Sequence, residues 1–513
     1  MRHTRTLAVV GAVAAAALAL SACGSSGSDA GEGTDPTSST APLLVIGSLE
    51  EPKSFDPAQA NEGHLAPIYQ AVYDTLLKRE PDGTYSPMLA SEWEVSEDGL
   101  TVTLTLRDDV TFSDGSGFDS AVAKANLEHF TAANGPMASS LRSVASIDTP
   151  DATTLVLNLS APDPDIPRAL SNAAGYMASG EALGTDAIVT EPVGSGPYIL
   201  DTSRSVVGSS IVYTRNEDYW GDELPYDEVE FRILADETAR LNALLSGEVD
   251  VAKLTRSANA QEAVAAGLQT EPYSTGWSGV LFFDRDGALL PELADPRVRE
   301  ALAIAIDREA IVEAGALGRA TETTQTFGPN TQGFTDDLES AYDYDPERAR
   351  ELLAEAGAED LAFTFPISTT FDPSIYDSLI QNWQDIGVTV TRHQWGPGEA
   401  IASMLGAEFP IAFMNLVQRS DWGHMQFLLA PTATWNPFDT QNDELDALIT
   451  AYRDASDDER PAIAEEVNRL VVDEFWFAPV MREDQNLFWD DTVQVRVQVE
   501  QAVPSIYNYS PAS

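Results

Sequence analysis

The chain has 513 residues, with 82 acidic against 29 lysine and arginine residues and a formal net charge of −53. A field of this sign repels nucleic acid and bare anionic lipid, so neither is expected as a partner. The single cysteine excludes an intramolecular disulfide and a multi-thiolate metal site, and 43% hydrophobic residues with nine tryptophans indicate a packed globular body.

The N-terminal residues are typical of an exported, lipid-anchored protein. Arg2 and Arg5 precede an uncharged run over residues 7–20, which is shorter than the ~20 apolar residues that span a bilayer and indicates a signal-peptide core. Two small residues and then Cys23 follow, and this resembles the lipobox of bacterial lipoproteins, in which the thiol takes a diacylglycerol. We therefore expect a signal peptide over residues 1–22; the alternative is an ordinary secretory signal with an incidental cysteine.

A flexible segment is expected next. Residues 24–42 contain only small, acidic or proline residues, so they cannot form a core. We predict a lipidated tether over residues 23–42 that holds a globular body near the outer face of the cell membrane, with Cys23 as its only membrane attachment. The folded body is expected to start near Leu43.

Strand and helix patterns alternate through the first half of the chain. Alternating or short apolar runs predict strands over residues 43–48, 101–106, 153–159, 199–200, 211–214 and 229–233. Apolar residues at helical spacing predict helices over residues 66–77 and 237–245.

In the second half, helix starts carry a clear signature. Asp295, Asp345 and Asp372 each stand directly before a proline, which places a side-chain acceptor at the N-cap and proline at the first helical position. The latter two helices are predicted to end at Gly357 and Gly387. Strands are predicted over residues 388–391, 411–417 and 493–499, so the chain is mixed α/β from end to end.

Several short motifs occur in an order that resembles a known family. They include Ser54-Phe55-Asp56-Pro57, Tyr73-Asp74-Thr75-Leu76, Phe112-Ser113-Asp114-Gly115, Gly194-Ser195-Gly196-Pro197-Tyr198 and Tyr344-Asp345-Pro346. Their order and spacing are similar to those of the extracytoplasmic solute-binding proteins of ABC transporters, in the family with oligopeptide-, dipeptide- and nickel-binding members. One departure is that Gly423-His424-Met425 follows Asp421-Trp422 where the family often has Asp-Pro.

The resemblance implies an α/β bilobal clamp like the periplasmic binding proteins, of class II and of the large type with an extra small domain, whose mixed sheets are flanked by helices. By analogy with the family, the domains are a discontinuous first lobe (residues 43–63, 191–284 and 485–513), an inserted small domain (64–190) and a second lobe (287–484). The implied function is capture of a small solute, most of all a peptide, for delivery to ABC permease subunits driven by a separate ATPase. We expect a monomer that needs no cofactor.

Family position also supplies candidate ligand-binding residues. These are Asn61, Glu62, Gly63, Tyr273, Trp277, Ser278, Arg419, Asp421 and Trp422. In peptide-binding relatives an aspartate receives the ligand ammonium group, and Asp421 is the candidate here; a solvated loop aspartate is the alternative. For Trp277, packing in the core is the alternative to ligand contact.

Two other classes of function stay open. Histidines with metal-ligand spacing are absent from the sequence, but His424 alone could contact a chelated nickel ion, so uptake of a nickel chelate or of another small nitrogenous solute is an alternative. An exported hydrolase is the alternative from another class. The mature sequence lacks a Gly-x-Ser-x-Gly elbow and a P-loop, which favours a binding protein without enzymatic activity.

Overall fold

The computed structural model describes residues 41–61, 63–368, 370–396 and 399–512. The α-helices in this part of the chain are α1 Ala66–Gln70, α2 Ser120–Ala132, α3 Ile166–Leu170, α4 Glu237–Leu245, α5 Ser257–Ala265, α6 Pro296–Ile304, α7 Arg308–Gly315, α8 Pro346–Ala356, α9 Pro373–Asp385, α10 Glu399–Leu405, α11 Asp421–His424, α12 Asp443–Asp454 and α13 Arg460–Asp473. Helix α11 continues into a π-helical turn, Met425–Leu429.

Strands are distributed along the whole described chain. They are β1 Ala41–Ser48, β2 Leu77–Arg79, β3 Tyr85–Pro87, β4 Ala90–Val95, β5 Thr101–Leu106, β6 Val144–Asp151, β7 Thr154–Leu159, β8 Tyr198–Leu200, β9 Ser210–Arg215, β10 Tyr226–Ile233, β11 Val251–Leu254, β12 Gly276–Phe282, β13 Ala320–Glu322, β14 Ala362–Ile367, β15 Thr389–Gln394, β16 Ile411–Val417, β17 Phe477–Glu483, β18 Asn486–Trp489, β19 Val493–Val495 and β20 Tyr509–Pro511.

The largest sheet has six strands in the order β18-β11-β1-β10-β9-β8. Strand β1 lies at its centre and pairs in parallel with both β10 and β11, whereas β8, β9 and β18 add antiparallel edges. Because the carboxyl ends of β1, β10 and β11 meet at one edge, side chains that follow these strands are brought together there. This sheet combines strands from the start, the middle and the end of the chain.

A second sheet has four antiparallel strands in the order β4-β5-β7-β6. In the sequence these strands come after β1 and before β8 of the six-stranded sheet. Strand β5 buries every second residue, Val102, Leu104 and Leu106, as the alternating sequence predicts. One apolar core contains residues of this sheet, of α1 and of the six-stranded sheet, so the two sheets are packed as one body.

The third part is built around strand β12, in a sheet of order β13-β17-β12-β16. All seven residues of β12 are buried, because each face of the strand has its own core. Val280 and Phe282 pack into the core that includes α6, α8 and α9. Trp277 and Leu281 pack into the core that includes α12 and α13. The result is a sheet covered by helices on both sides, and strands β14 and β15 pair in parallel beside it.

The predicted helix starts are confirmed. Asp295, Asp345 and Asp372 each accept a hydrogen bond from a main-chain N–H of the following turn. Gly357 and Gly387 have φ of 69° and 99°, which suits the left-handed conformation that ends a helix.

The predicted helix over residues 66–77 is wrong in its length, since α1 ends at Gln70. The carbonyl oxygens of Ala71 and Val72 accept hydrogen bonds from the main-chain N–H groups of Tyr198 and Gly196 instead of continuing the helix. A Cβ atom on Gly196 would lie 2.4 Å from the carbonyl carbon of Val72, so the glycine turn requires this close approach.

The predicted strand over residues 493–499 is also shorter, because β19 ends at Val495. From Arg496 the chain binds other partners: the N–H of Arg496 donates to the carbonyl of Asn508, and the N–H of Val499 donates to the carbonyl of Pro81. The alternating valines predicted a longer strand, because a local sequence pattern does not show hydrogen-bond acceptors that lie far away along the chain.

Candidate functional site

A groove of about 400 Å³ lies between the antiparallel β4–β7 region and the helices near the end of the chain. We call it the Trp422 groove. One wall is formed by Arg142, Ser143, Ser160, Ala161, Pro162 and Asp163, and the other by Trp422, Gln426, Pro431, Asp446, Ile449, Thr450 and Arg453. A volume of this size holds a small solute, and the lining combines apolar surface with charges of both signs.

Trp422 is held flat at one side of this groove. Its ring stacks on Tyr452, with the ring centroids 6.2 Å apart and the planes inclined by 6°. Arg419 lies close by, with its guanidinium carbon 3.9 Å from the centroid of the Phe427 ring. The stacking on Tyr452 fixes Trp422 as a flat aromatic surface of the groove, and the contact with Phe427 holds the Arg419 side chain three residues before it.

Asp421 is 5% exposed and is tied to the main chain. Its two carboxylate oxygens accept hydrogen bonds from the N–H groups of Gln332, at 3.0 Å, and of Gly333, at 2.7 Å. Burial raises the pKa of this carboxyl to about 6, against the opposing effect of these two N–H donors. A carboxylate has about four acceptor positions, so Asp421 keeps capacity for a further donor.

Ser420 connects the two walls. Its hydroxyl accepts a hydrogen bond from the N–H of Gly423 at 3.0 Å, which caps α11, and it donates to the carboxylate of Asp165. Asp165 stands immediately before α3 and two residues after Asp163 of the opposite wall, and burial raises its pKa. The start of α11 is therefore anchored by a side-chain hydrogen bond to the segment that follows the opposite wall.

His424, the candidate metal ligand, lies in the interior. It is 4% exposed, its Nε2 is 3.0 Å from Oγ1 of Thr326, and its ring centroid is 4.5 Å from that of Phe327. Burial, with Arg419 and Arg482 nearby, lowers its pKa to about 3, so the ring is neutral at pH 7. Across the described part of the chain, no group of three or more His, Cys, Asp or Glu side chains is placed to hold a metal ion.

A second, smaller cavity of about 20 Å³ lies at the carboxyl-terminal edge of the six-stranded sheet. We call it the sheet-edge cavity. It is lined by Ile46, Gly47, Ser48, Leu49, His64, Pro67, Phe231, Arg240, Ala252, Lys253, Thr255, Leu487 and Val503. Three of these side chains are basic: His64 from the turn before α1, Arg240 from α4 and Lys253 from β11.

The predicted binding residues at positions 61–63 directly precede His64, which lines this cavity. Asn61 is exposed, Gly63 has φ of 85° and His64 lines the cavity. The positive φ is a conformation that glycine adopts readily. Glu62 lies outside the described residues.

The side chains of Tyr273, Trp277 and Ser278 contact different partners in the structure. The hydroxyl of Tyr273 donates to the carbonyl of Ala502 at 3.2 Å, whereas Trp277 is 1% exposed and packs edge-on against Phe477. Ser278 is fully buried.

A polar group surrounds Ser278 on the β12 sheet. Its Oγ accepts a hydrogen bond from Nδ2 of Asn415 at 2.9 Å. The Ser278 hydroxyl also donates a hydrogen bond to Glu483, which lowers the pKa of that carboxyl, but burial has the larger effect and raises it. Sequence reasoning missed Asn415 and Glu483, because only the register of β12 with β16 and β17 places them beside Ser278.

Sequence reasoning also missed His64, Arg240 and Lys253 as a group. Each comes from a different element, so only the sheet topology shows that they line one cavity. One signal was available: the chain has only four lysines, and Lys253 stands within an apolar strand.

The architecture, with separate sheets covered by helices and a groove between their bodies, is that of a periplasmic-binding-protein-like clamp with two lobes. Solved structures of similar fold include HbpA2 from Haemophilus parasuis, at a TM-score of 0.82 and 21% identity over 91% of this chain and 99% of that one. Another is DppA from Helicobacter pylori in complex with the peptide STSA, at a TM-score of 0.73 and 20% identity over 93% of this chain and 99% of that one.

Sequence comparison defines the family. Residues 84–437 match the model of the bacterial extracellular solute-binding proteins, family 5, and this chain belongs to that family. The glutathione-binding protein GsiB of Salmonella paratyphi A is 26% identical over 483 residues, which are 88% of this chain and 87% of that protein. Family membership and the clamp fold predicted from sequence are therefore confirmed, and the protein is a solute-binding component of an ABC importer that acts outside the cytoplasm.

Proposed function

We propose that the protein captures a peptide between its two lobes and delivers it, unmodified, to ABC permease subunits. The observation that carries this proposal is the Trp422 groove, which is large enough for a small peptide and contains apolar surface with both Arg453 and Asp446 in its walls. A zwitterion needs a partner for each of its charges when it leaves water. One relative of similar fold has been solved with a bound peptide.

The domain boundaries expected from sequence are part of the proposal. The first lobe comprises residues 43–63, 191–284 and 485–513, the small domain residues 64–190 and the second lobe residues 287–484. Support comes from the sheets: strands of the six-stranded sheet come from the first-lobe segments, and β4–β7 come from the small domain alone. Strand β12 is the exception, because Gly276–Phe282 lies in a first-lobe segment by sequence but pairs with β16 and β17 of the second lobe. In this division, Ser420 and Asp165 belong to different bodies, so their hydrogen bond favours the closed clamp.

The sequence-derived binding residues are also proposed rather than established. They are Asn61, Glu62, Gly63, Tyr273, Trp277, Ser278, Arg419, Asp421 and Trp422. Trp422 has the strongest support, because it lines the groove. For Asp421, the ammonium group would be a third donor beside the N–H groups of Gln332 and Gly333.

The protein is proposed to act as a monomer without enzymatic activity, held at the outer face of the cell membrane by a lipid on Cys23. Cys23 and residues 24–40 of the predicted tether lie outside the described residues, whereas residues 41 and 42 already belong to β1. In the part of the chain that the structure describes, no helix combines the length and apolarity needed to cross a bilayer. Closure would be driven by the contacts that the solute makes with both lobes, and the permease would read the closed surface.

Native mass spectrometry of freshly purified protein tests this function. We expect a co-purified peptide that dissociates on denaturation with its mass unchanged after prolonged incubation, and saturable quenching of tryptophan fluorescence when it is added back. The Trp422→Leu variant should bind it at least tenfold more weakly, since stacking aromatics in desolvated pockets are binding hot spots. Trp93→Leu, on β4 outside the groove, is the matched control. Product masses that accumulate with time would instead identify a hydrolase.

A further inference from the structure

The sheet-edge cavity concentrates positive charge in a protein that carries little of it. The chain has 29 lysine and arginine residues against 82 acidic ones, and only four lysines in total. Three basic side chains, His64, Arg240 and Lys253, nevertheless line one cavity of about 20 Å³. A cluster of this kind in so acidic a chain needs a physical explanation.

The hydrogen bonds of this cluster are to neutral acceptors. Arg240 donates to the carbonyl oxygens of Lys253, Leu234 and Ala235. The Nζ of Lys253 donates to Oε1 of Gln485. Among the residues that the structure describes, none of the three basic side chains forms an ion pair, because no carboxylate oxygen lies within 4.0 Å of their nitrogen atoms.

The two acidic side chains that act on Arg240 are hydrogen-bonded elsewhere. Glu237 accepts hydrogen bonds from Thr255, from the N–H of Arg256 and from Asn259. Asp236 accepts from the N–H of Ala239 and caps α4. The positive side chains around the cavity thus lack an ion-pair partner from the N-cap and first residue of α4, where these two acids lie.

The proton equilibria agree with this geometry. Burial lowers the pKa of Lys253 to about 8, and burial together with Lys253 and Arg240 lowers the pKa of His64 to about 4. Burial also lowers the pKa of Arg240, although Glu237 and Asp236 act in the opposite direction. At pH 7 the cavity therefore holds two cations and a neutral imidazole, and an anion placed among them would raise all three values.

We propose that the sheet-edge cavity receives the carboxylate of the captured solute, between His64, Arg240 and Lys253. This rests on the proposed function, because the solute supplies the carboxylate. Arg453 in the wall of the Trp422 groove is the competing partner for that carboxylate, and a preference for free acids that Lys253→Met leaves unchanged would assign it to Arg453. The volume fits this assignment: a site needs about 10–15 Å³ to hold one water, so about 20 Å³ accepts one oxygen atom of a carboxylate.

The location gives this site a second consequence. Gln485, the acceptor of Lys253, lies between β17 and β18, where the chain passes from the β12 sheet to the six-stranded sheet. Its own N–H donates to the carbonyl of Tyr273 at 2.6 Å, on the segment that runs the other way. A carboxylate bound by Lys253 therefore lies against both connections between the sheets, where it can favour one relative orientation.

Two pools of tripeptides test the assignment, one with free C-terminal carboxylates and one with C-terminal amides. By native mass spectrometry, the wild type and the control Lys53→Met, which changes an exposed lysine, should retain the free-acid pool at least tenfold better than the amides. In Lys253→Met the preference should fall below threefold, since removing one partner of a desolvated charge pair costs more than a factor of ten in affinity. Lys253→Arg should keep part of the preference, and His64→Gln should weaken it.

A second arm uses sodium acetate and sodium chloride at equal ionic strength, with the melting temperature as readout. Acetate should raise the melting temperature of the wild type saturably and not that of Lys253→Met. Equal effects of chloride would identify a free-ion site and overturn the proposal. Equal retention of free and amidated peptides would also overturn it, while the peptide-binding function stands. If neither pool binds, the peptide function fails, and the acetate response alone decides whether the cavity takes a carboxylate.

Discussion

Asp74 supplies the most quantitative prediction, because it is a fully buried carboxylate with a complete set of donors. It is 0% exposed and accepts hydrogen bonds from the Ser195 hydroxyl at 2.9 Å, the Trp220 indole N–H at 2.7 Å, and the hydroxyls of Tyr507 and Tyr219 at 3.0 and 3.2 Å. These donors come from three distant parts of the chain, so Asp74 joins them.

Burial raises the pKa of Asp74 from 3.8 to about 6 in spite of these four donors. Since the folded protein holds the proton more tightly than the unfolded chain, the stabilisation is complete below pH 3.8 and is lost as the pH rises through about 6. A shift of roughly two units corresponds to about 3 kcal/mol. The wild type should lose this amount of unfolding free energy between pH 4 and pH 8 because of Asp74.

The Asp74→Asn variant isolates this effect, since the amide does not titrate. Its offset from the wild type depends on the hydrogen bonds that the amide fails to make, but that offset is independent of pH. We expect the unfolding free energy of the variant, relative to the wild type, to rise by about 3 kcal/mol from pH 4 to pH 8. Urea unfolding followed by tryptophan fluorescence measures it. A difference that stays constant across this range would refute the reasoning.

Three further changes have defined outcomes. Ser420→Ala removes the cap of α11 and the hydrogen bond to Asp165, so the variant should bind the co-purified solute about tenfold more weakly by calorimetry. Ser420→Thr should bind it as the wild type does. An unchanged affinity of Ser420→Ala would contradict a role of this hydrogen bond in closure. Gly196→Ala places a Cβ atom 2.4 Å from the carbonyl carbon of Val72, and a loss of at least about 2 kcal/mol is expected in urea unfolding. Cys23→Ala should release the protein into the culture medium, whereas a variant extracted only by detergent would exclude the anchor.

Much of the fold was accessible to sequence reasoning because its signals are local. Asp295, Asp345 and Asp372 accept hydrogen bonds from N–H groups two or three residues away, and the geometry of an N-cap is the same in every protein. The length of α1 was not accessible, because the acceptors that end it are used by Gly196 and Tyr198, more than a hundred residues later.

The candidate site divides in the same way. Sequence reasoning selected Trp422, and the structure places it in the groove, since a family motif fixes its position. It could not predict that Gln332 and Gly333 donate to Asp421, because those contacts depend on the packing of a loop ninety residues earlier. The sheet-edge cavity was missed for the same reason, since its basic residues lie on separate elements.

Long-range and local charge act in opposite directions in this molecule, and this bears on which solutes it can capture. A net charge of −53 repels simple anions before they reach the surface. The sheet-edge cavity, with Lys253 and Arg240, favours a carboxylate once the solute is inside. A free dicarboxylate therefore meets a barrier on approach, whereas a peptide brings its ammonium group into the acidic field and its carboxylate into the cavity. Under the proposed function, this combination selects zwitterions over anions of similar size.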